Sequence, residues 1–190
     1  MDHLVIPLDR DHTQALTELV RATAMAAGLA DTAEVPCPHV TLIAHGGLPP
    51  DAVRAVTDVV TGTTPFAIHA HGYGFFTGDD PSDLSLHVPV VRTAPLDDLH
   101  RRLCDALHGT GTQTAPWSEP ELWSPHITML DRGLDPTSLG TAAAWLAQRH
   151  HPRWCIPVDR IALTGGWSER QRPSAVLCFT KQRSDSHEGP

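Results

Sequence analysis

Positive charge is scarce in this chain. Fourteen lysines and arginines stand against twenty-two aspartates and glutamates, a formal net charge of −8 over 190 residues with histidine neutral. Grip on long nucleic acid is carried by Lys and Arg on phosphates, so the balance argues against that class of function. A short phosphorylated ligand, which needs only a local positive site, stays open. Paired cysteines are missing too. Cys37, Cys104, Cys155 and Cys178 form no C-x-x-C pair, which removes the zinc-knuckle and thioredoxin-type readings. No apolar run approaches the roughly 20 residues of a membrane span, so no membrane partner is expected. Residues 1–8 carry neither a basic n-region nor a long apolar h-region, so no secretory leader is expected. The simplest expectation is a cytoplasmic chain with reduced thiols.

What the chain does have is histidine, thirteen of them, and a repeated pentad. Pro38-His39-Val40-Thr41-Leu42 returns nearly half the chain later as Pro125-His126-Ile127-Thr128-Met129. The order of types is the same: proline, histidine, β-branched apolar, threonine, long apolar. In a strand, side chains alternate between faces, so His39 shares a face with Thr41 and His126 with Thr128. Each copy then presents an imidazole and a hydroxyl roughly 7 Å apart on a half-buried strand.

The rest of the chain repeats around that pentad. Leu4 to Leu8 reads as a first strand. Asp11 or Thr13 can cap a helix that keeps apolar residues in step from Ala15 to Ala26 and ends at Gly28. A loop from Ala30 to Pro38 leads to a strand over 39–45, then a helix from Pro50 through Val60. Strands are expected over Phe66 to Phe76, where Phe75 and Phe76 read as core, and over Leu84 to Val91, joined by a turn over 79–82. The order then restarts: a helix from Pro95 to His108, a loop to Pro125, a strand over 126–130, and a helix from Leu134 through Gln148. Strands over Cys155 to Thr164 and Ala175 to Thr180 follow, with a turn over 165–173 between them. The pattern predicts an α+β fold of two pseudo-symmetric lobes from a duplicated unit, with antiparallel sheets lining a central cleft and helices outside. Residues 1–182 form a single bilobal domain of two interleaved lobes on this reading, and 183–190 a disordered tail.

Two imidazoles on opposite flanks of a cleft suit attack on a phosphodiester. One takes a proton from water, and the other gives one to the leaving oxygen, in line across phosphorus. Unperturbed histidine titrates near ~6.5, so both forms are accessible at neutral pH. The threonine hydroxyls can donate to the non-bridging oxygens where charge builds. Threonine is a poor metal ligand and no carboxylate accompanies either pentad, so neither metal nor other cofactor is expected.

The paired pentad resembles the 2H phosphoesterase superfamily, the group of 2′-5′ RNA ligase-like proteins and 2′,3′-cyclic phosphodiesterases, which carries one H-x-[T/S] motif in each lobe of a duplicated α+β fold. The resemblance runs from Leu4 to about Phe179. It implies His39 and His126 as the acid–base pair and Thr41 and Thr128 as phosphate binders. The implied activity is metal-independent hydrolysis of a cyclic or 2′,5′-linked phosphodiester, on a small cyclic nucleotide or an RNA terminal phosphate, by a monomer. Many members carry a basic residue before Pro-His, where Cys37 and Ser124 stand here. Arg132 lies just after the second pentad and is a candidate for part of that charge, against the reading of a surface residue.

Other features weigh less. His108-Gly109-Thr110 has the motif's letters at a helix end and is assigned no role. His69-Ala70-His71 sets two imidazoles on one strand face without a third ligand nearby, so an exposed face is favoured over a metallohydrolase site. His150-His151 suits a helix C-terminus. Trp117 and Trp123 lie in the loop before the second pentad, where an aromatic can stack on a base. Trp123, three residues from His126, is taken as substrate-binding. A nucleotide-binding module without turnover and an RNA 2′,5′-end ligase remain as competing readings.

Overall fold

The computed structural model describes residues 2–29, 37–78, 84–149, 151–164 and 174–180. Residues 30–36 of the loop expected over 30–38, the turns over 79–82 and 165–173, and the tail from 183 lie outside these. Nine strands and four helices are described: β1 (Asp2–Pro7), α1 (Arg10–Ala26), β2 (His39–His45), α2 (Pro50–Thr61), β3 (Phe66–His71), β4 (Gly74–Thr77), β5 (Leu84–Pro89), α3 (Ala94–Gly109), β6 (His126–Leu134), α4 (Pro136–Ala147), β7 (Arg153–Val158), β8 (Arg160–Thr164) and β9 (Ala175–Cys178).

The expected α+β duplication is present. Seven strands form one sheet in the order β4-β5-β6-β2-β1-β8-β9, and β3 pairs with β7 in a second sheet of two. Every strand pairing between named strands is antiparallel. The pentad strands β2 and β6 sit at the middle of the large sheet, and Val40 opposite Ile127 joins the halves. Moving outward, β1 flanks β2 as β5 flanks β6, and β8 flanks β1 as β4 flanks β5. With units running β1–β4 and β5–β8, β4 lies against β5 and β8 against β1, and β9 adds at the edge beside β8. The strand expected over Leu84 to Val91 thus opens the second unit, where the sequence order places it in the first.

The register repeats as well. Pro7 faces His39 and Val5 faces Thr41, with a bulge before Leu4 meets Ile43. Pro89 faces His126 and His87 faces Thr128, with a bulge before Leu86 meets Leu130. A bulge adds one residue to one strand and sharpens local twist. Leu4-Val5-Ile6-Pro7 and Leu86-His87-Val88-Pro89 are thus the same stretch in the two units.

One face of the sheet is core. Val40, Leu42, Ile127, Met129, Ile6 and Val88 are buried, and α1 packs with α4 while α2 packs with α3. Asp9 caps α1 by accepting from the His12 amide at 3.0 Å, so the helix starts ahead of the caps expected at Asp11 or Thr13. Asp135 caps α4 in the same way through the Ser138 amide. Prolines at the first turns of α2, α3 and α4 need no hydrogen-bond partner there.

Two expected strands are each broken in two. The stretch from Phe66 to Phe76 turns at Gly72, whose φ of 75° only glycine adopts without cost. β3 then joins the small sheet and β4 the large one. The stretch from Cys155 to Thr164 breaks at Asp159 in the same way. Phe75 and Phe76 are not core: they are 59% and 38% exposed. Among the described residues, no helix is long and apolar enough to cross a membrane.

Candidate active site

Val40 and Ile127 point into the core, so the polar residues of both pentads lie on the opposite face. Carrying the antiparallel register one step each way from that pair sets Thr128 beside His39 and Thr41 beside His126, on strands about 5 Å apart. The two histidines are then diagonal neighbours, about 7–8 Å apart at the backbone. Each imidazole stands next to the other unit's hydroxyl. All four residues are partly exposed.

The two rings are held alike. His39 Nδ1 lies 2.8 Å from the Cys37 carbonyl, and His126 Nδ1 lies 2.8 Å from the Ser124 carbonyl. A carbonyl only accepts, so each Nδ1 donates, and in the neutral ring the lone pair sits on Nε2. The proline between fixes its own φ and pushes its predecessor toward extended geometry, which brings that carbonyl back toward the imidazole. This is the physical use of proline in the pentad.

Electrostatics separate the two. Burial lowers the pKa of His39, the Cys37 hydrogen bond opposes that, and the nearby charge of His126 lowers it further. Burial also lowers His126, but there the Ser124 hydrogen bond and the carboxylate of Asp131 both push back. Asp131 thus favours the charged form of His126.

The walls of the two halves differ more. On the β4–β5 side, His87 lies 5.0 Å from His126 between ring centroids, and Phe76 stacks on His87 at 4.2 Å and meets His126 edge-on at 4.9 Å. His87 is buried, its Nδ1 has no hydrogen-bond partner among the described residues, and its pKa is pushed down to about 4 by burial and then by His126. Gly74 makes room for it: a Cβ there would sit 2.6 Å from His87 Nε2. At the corresponding places of the β1–β8 side stand Val5, Ala162 and Thr164, with His3 where the other half has Ser85. His3 is pushed down to about 4 by burial and then by the charge of His39. Sequence reasoning missed His87 and Phe76. The repeated Leu-x-x-Pro stretch is the signal that would have aligned His87 with the cleft.

Trp123 does not face the cleft. It is 5% exposed, stacked on His100 at 3.8 Å, and its Nε1 donates to the Thr41 carbonyl at 3.0 Å. Arg92 donates to the Trp123 and Pro120 carbonyls and pairs with Asp97. The ring is a strut from the approach to the second pentad onto the first pentad strand, and its apolar area is spent on the core. Trp117 is exposed, on a short turn of 3₁₀ helix at Pro116–Ser118. The side chain of Arg132 and His150 lie outside the described residues. His69, His71 and His151 are exposed, and among the described residues no three His, Cys, Asp or Glu side chains stand together in a way that could hold a metal ion.

Comparison with known proteins adds to this geometry. No curated protein sequence matches the chain. Solved structures do. TT0787 of Thermus thermophilus superposes with a TM-score of 0.67 at 16% identity, over 96% of this chain and 99% of that one. Escherichia coli LigT, crystallised with 3′-AMP, superposes with a TM-score of 0.60 at 18% identity, over 95% and 98%. At these identities the likeness is one of fold. The sequence itself matches the model of the 2′-5′ RNA ligase superfamily over residues 8–165, which takes in both pentads. With the fold and that match in agreement, the chain belongs to the 2′-5′ RNA ligase superfamily, the 2H phosphoesterases.

Proposed function

We propose that this chain is a phosphodiesterase that opens a cyclic, 2′,3′-type, or 2′,5′-linked phosphodiester of a nucleotide or short RNA end by two-histidine acid–base catalysis. One observation carries the reading: two imidazoles tethered identically at Nδ1 on adjacent antiparallel strands, each beside the other strand's threonine. A phosphate seated over Val40 and Ile127 has an Nε2 on each flank. His39 takes the proton of the attacking water. The bond from phosphorus to that oxygen forms as the bond to the ribose oxygen breaks. His126 gives its proton to the departing ribose oxygen, and Asp131 steadies the charged ring beforehand. Thr41 and Thr128 donate to the non-bridging oxygens. LigT's complex with 3′-AMP supports a ligand of this size, since 3′-AMP is what opening a 2′,3′-cyclic phosphate at the 2′ oxygen leaves.

The test is turnover of 2′,3′-cyclic nucleotides in the presence of EDTA. The expected result is hydrolysis by the wild type and loss in both His39→Ala and His126→Ala. Tight binding without turnover would move the chain to a binding module, and a joined 2′,5′ product would make it a ligase.

A further inference from the structure

Next to the cleft, the outer face of the β3–β7 sheet forms a groove of about 430 Å³ that the proposed chemistry leaves unused. His69, His71, His151, Arg153 and Cys155 line it. In register, His69 faces Cys155 and His71 faces Arg153, and all four are exposed.

The groove is continuous with the catalytic face. Ala70 bridges Val90, and the Val91 amide donates to the His69 carbonyl at 2.8 Å. That register sets His71 beside Pro89, and Pro89 faces His126. Ala70 and Val90 are buried, which leaves His71 and Pro89 on the cleft side. Arg153, His71, Pro89 and His126 thus form one lateral row, a residue from each of four neighbouring strands. At about 4.8 Å per strand, Arg153 stands about 14 Å from His126.

The chemistry of the row selects an anion. Among the described residues, the His and Cys side chains here do not gather into a metal-holding group. Arg153 is always charged, and its planar fork suits phosphate oxygens. None of the ion pairs among the described residues uses it. Three imidazoles around it can donate as well. In a chain of net charge −8 this is a local positive site, one that composition alone hides.

We propose that this groove is a second phosphate subsite, holding an upstream phosphodiester of a short single-stranded oligoribonucleotide whose reactive end lies between His39 and His126. The assignment rests on the hydrolytic reading above. At about 3.4 Å of rise per stacked nucleotide, the span from His126 to Arg153 corresponds to about four nucleotides.

The experiment compares kcat/KM for a pentaribonucleotide, whose first phosphodiester lies four steps from its terminal 2′,3′-cyclic phosphate, with kcat/KM for the 2′,3′-cyclic mononucleotide, in wild type and in Arg153→Gln. The ratio of oligonucleotide to mononucleotide is expected to fall about tenfold in the variant. The slope of log KM against log salt for the oligonucleotide should drop by about 0.7, one phosphate contact on a single strand. An unchanged ratio, or an equal loss on both substrates, overturns the subsite. If the wild type turns over neither substrate, the hydrolytic reading falls. Titration with the same pentanucleotide ending in a 3′-phosphate still reads the groove: tenfold weaker binding by Arg153→Gln sustains it, and equal binding overturns it.

Discussion

The two halves of the molecule share a frame and differ in their walls. Both carry a proline facing the pentad histidine, a bulge in the same place, and an imidazole tied to the carbonyl two residues back. Yet one half lines the cleft with Gly74, Phe76 and His87 where the other has Ala162, Thr164 and Val5. The sameness is confined to what positions a proton; the difference lies in what surrounds it. A duplicated site can therefore be symmetric in reach while it is asymmetric in electrostatics, and the charge of Asp131 acting on His126 is one instance.

The largest effect should come from the shared part. His39→Ala and His126→Ala are each expected to cost about 10²–10⁴-fold in kcat, the usual worth of a general acid or base. The comparison sharpens in the pH profile. Loss of His39 should flatten the acidic limb and loss of His126 the alkaline limb, and the same limb lost in both variants would refute the division of roles. Next, Thr41→Val and Thr128→Val should each lower kcat by about 10²-fold, with the fold retained by circular dichroism. A much larger loss for one than the other would break the pseudo-symmetry at the phosphate.

A smaller effect tests the walls. Gly74→Ala puts a methyl into the His87 ring and should cost about 1–3 kcal/mol in denaturant unfolding. Adding His87→Val rebuilds the arrangement that Ala162 and Val5 already make in the other half, and should recover most of the loss.

The walls also act through pH. The folded state keeps His87 neutral down to about 4, while the unfolded chain takes up that proton below about 6.5. The unfolded state therefore binds more protons in that window, and stability falls as pH drops through it. His3 and His100, also held near about 4 chiefly by burial, act in the same direction. The melting temperature should decline by several degrees from pH 6.5 to 4, and less steeply in His87→Val.

Much of this was legible because the pentad is periodic. Alternation told which residues of 39–42 and 126–129 face the core, and the order of helices and strands gave away the duplication. What stayed hidden depends on distant partners. Trp123 looks like a cleft aromatic by distance along the chain, but its place is set by His100 and the Thr41 carbonyl. Phe76 ends an apolar run and reads as interior. Gly72 turns that run, and the ring emerges over His87. The breaks at Gly72 and Asp159 also escape a periodicity argument, since alternation continues on either side of them.

The exchange of outer strands between units has a consequence for how the chain comes into being. Leu4 cannot gain its second neighbour until Leu163 has been made, because β1 waits for β8. A truncated product, or either half made alone, would leave a bare sheet edge of the kind that invites association with other chains. Synthesis must reach β8 before β1 is sealed on both sides.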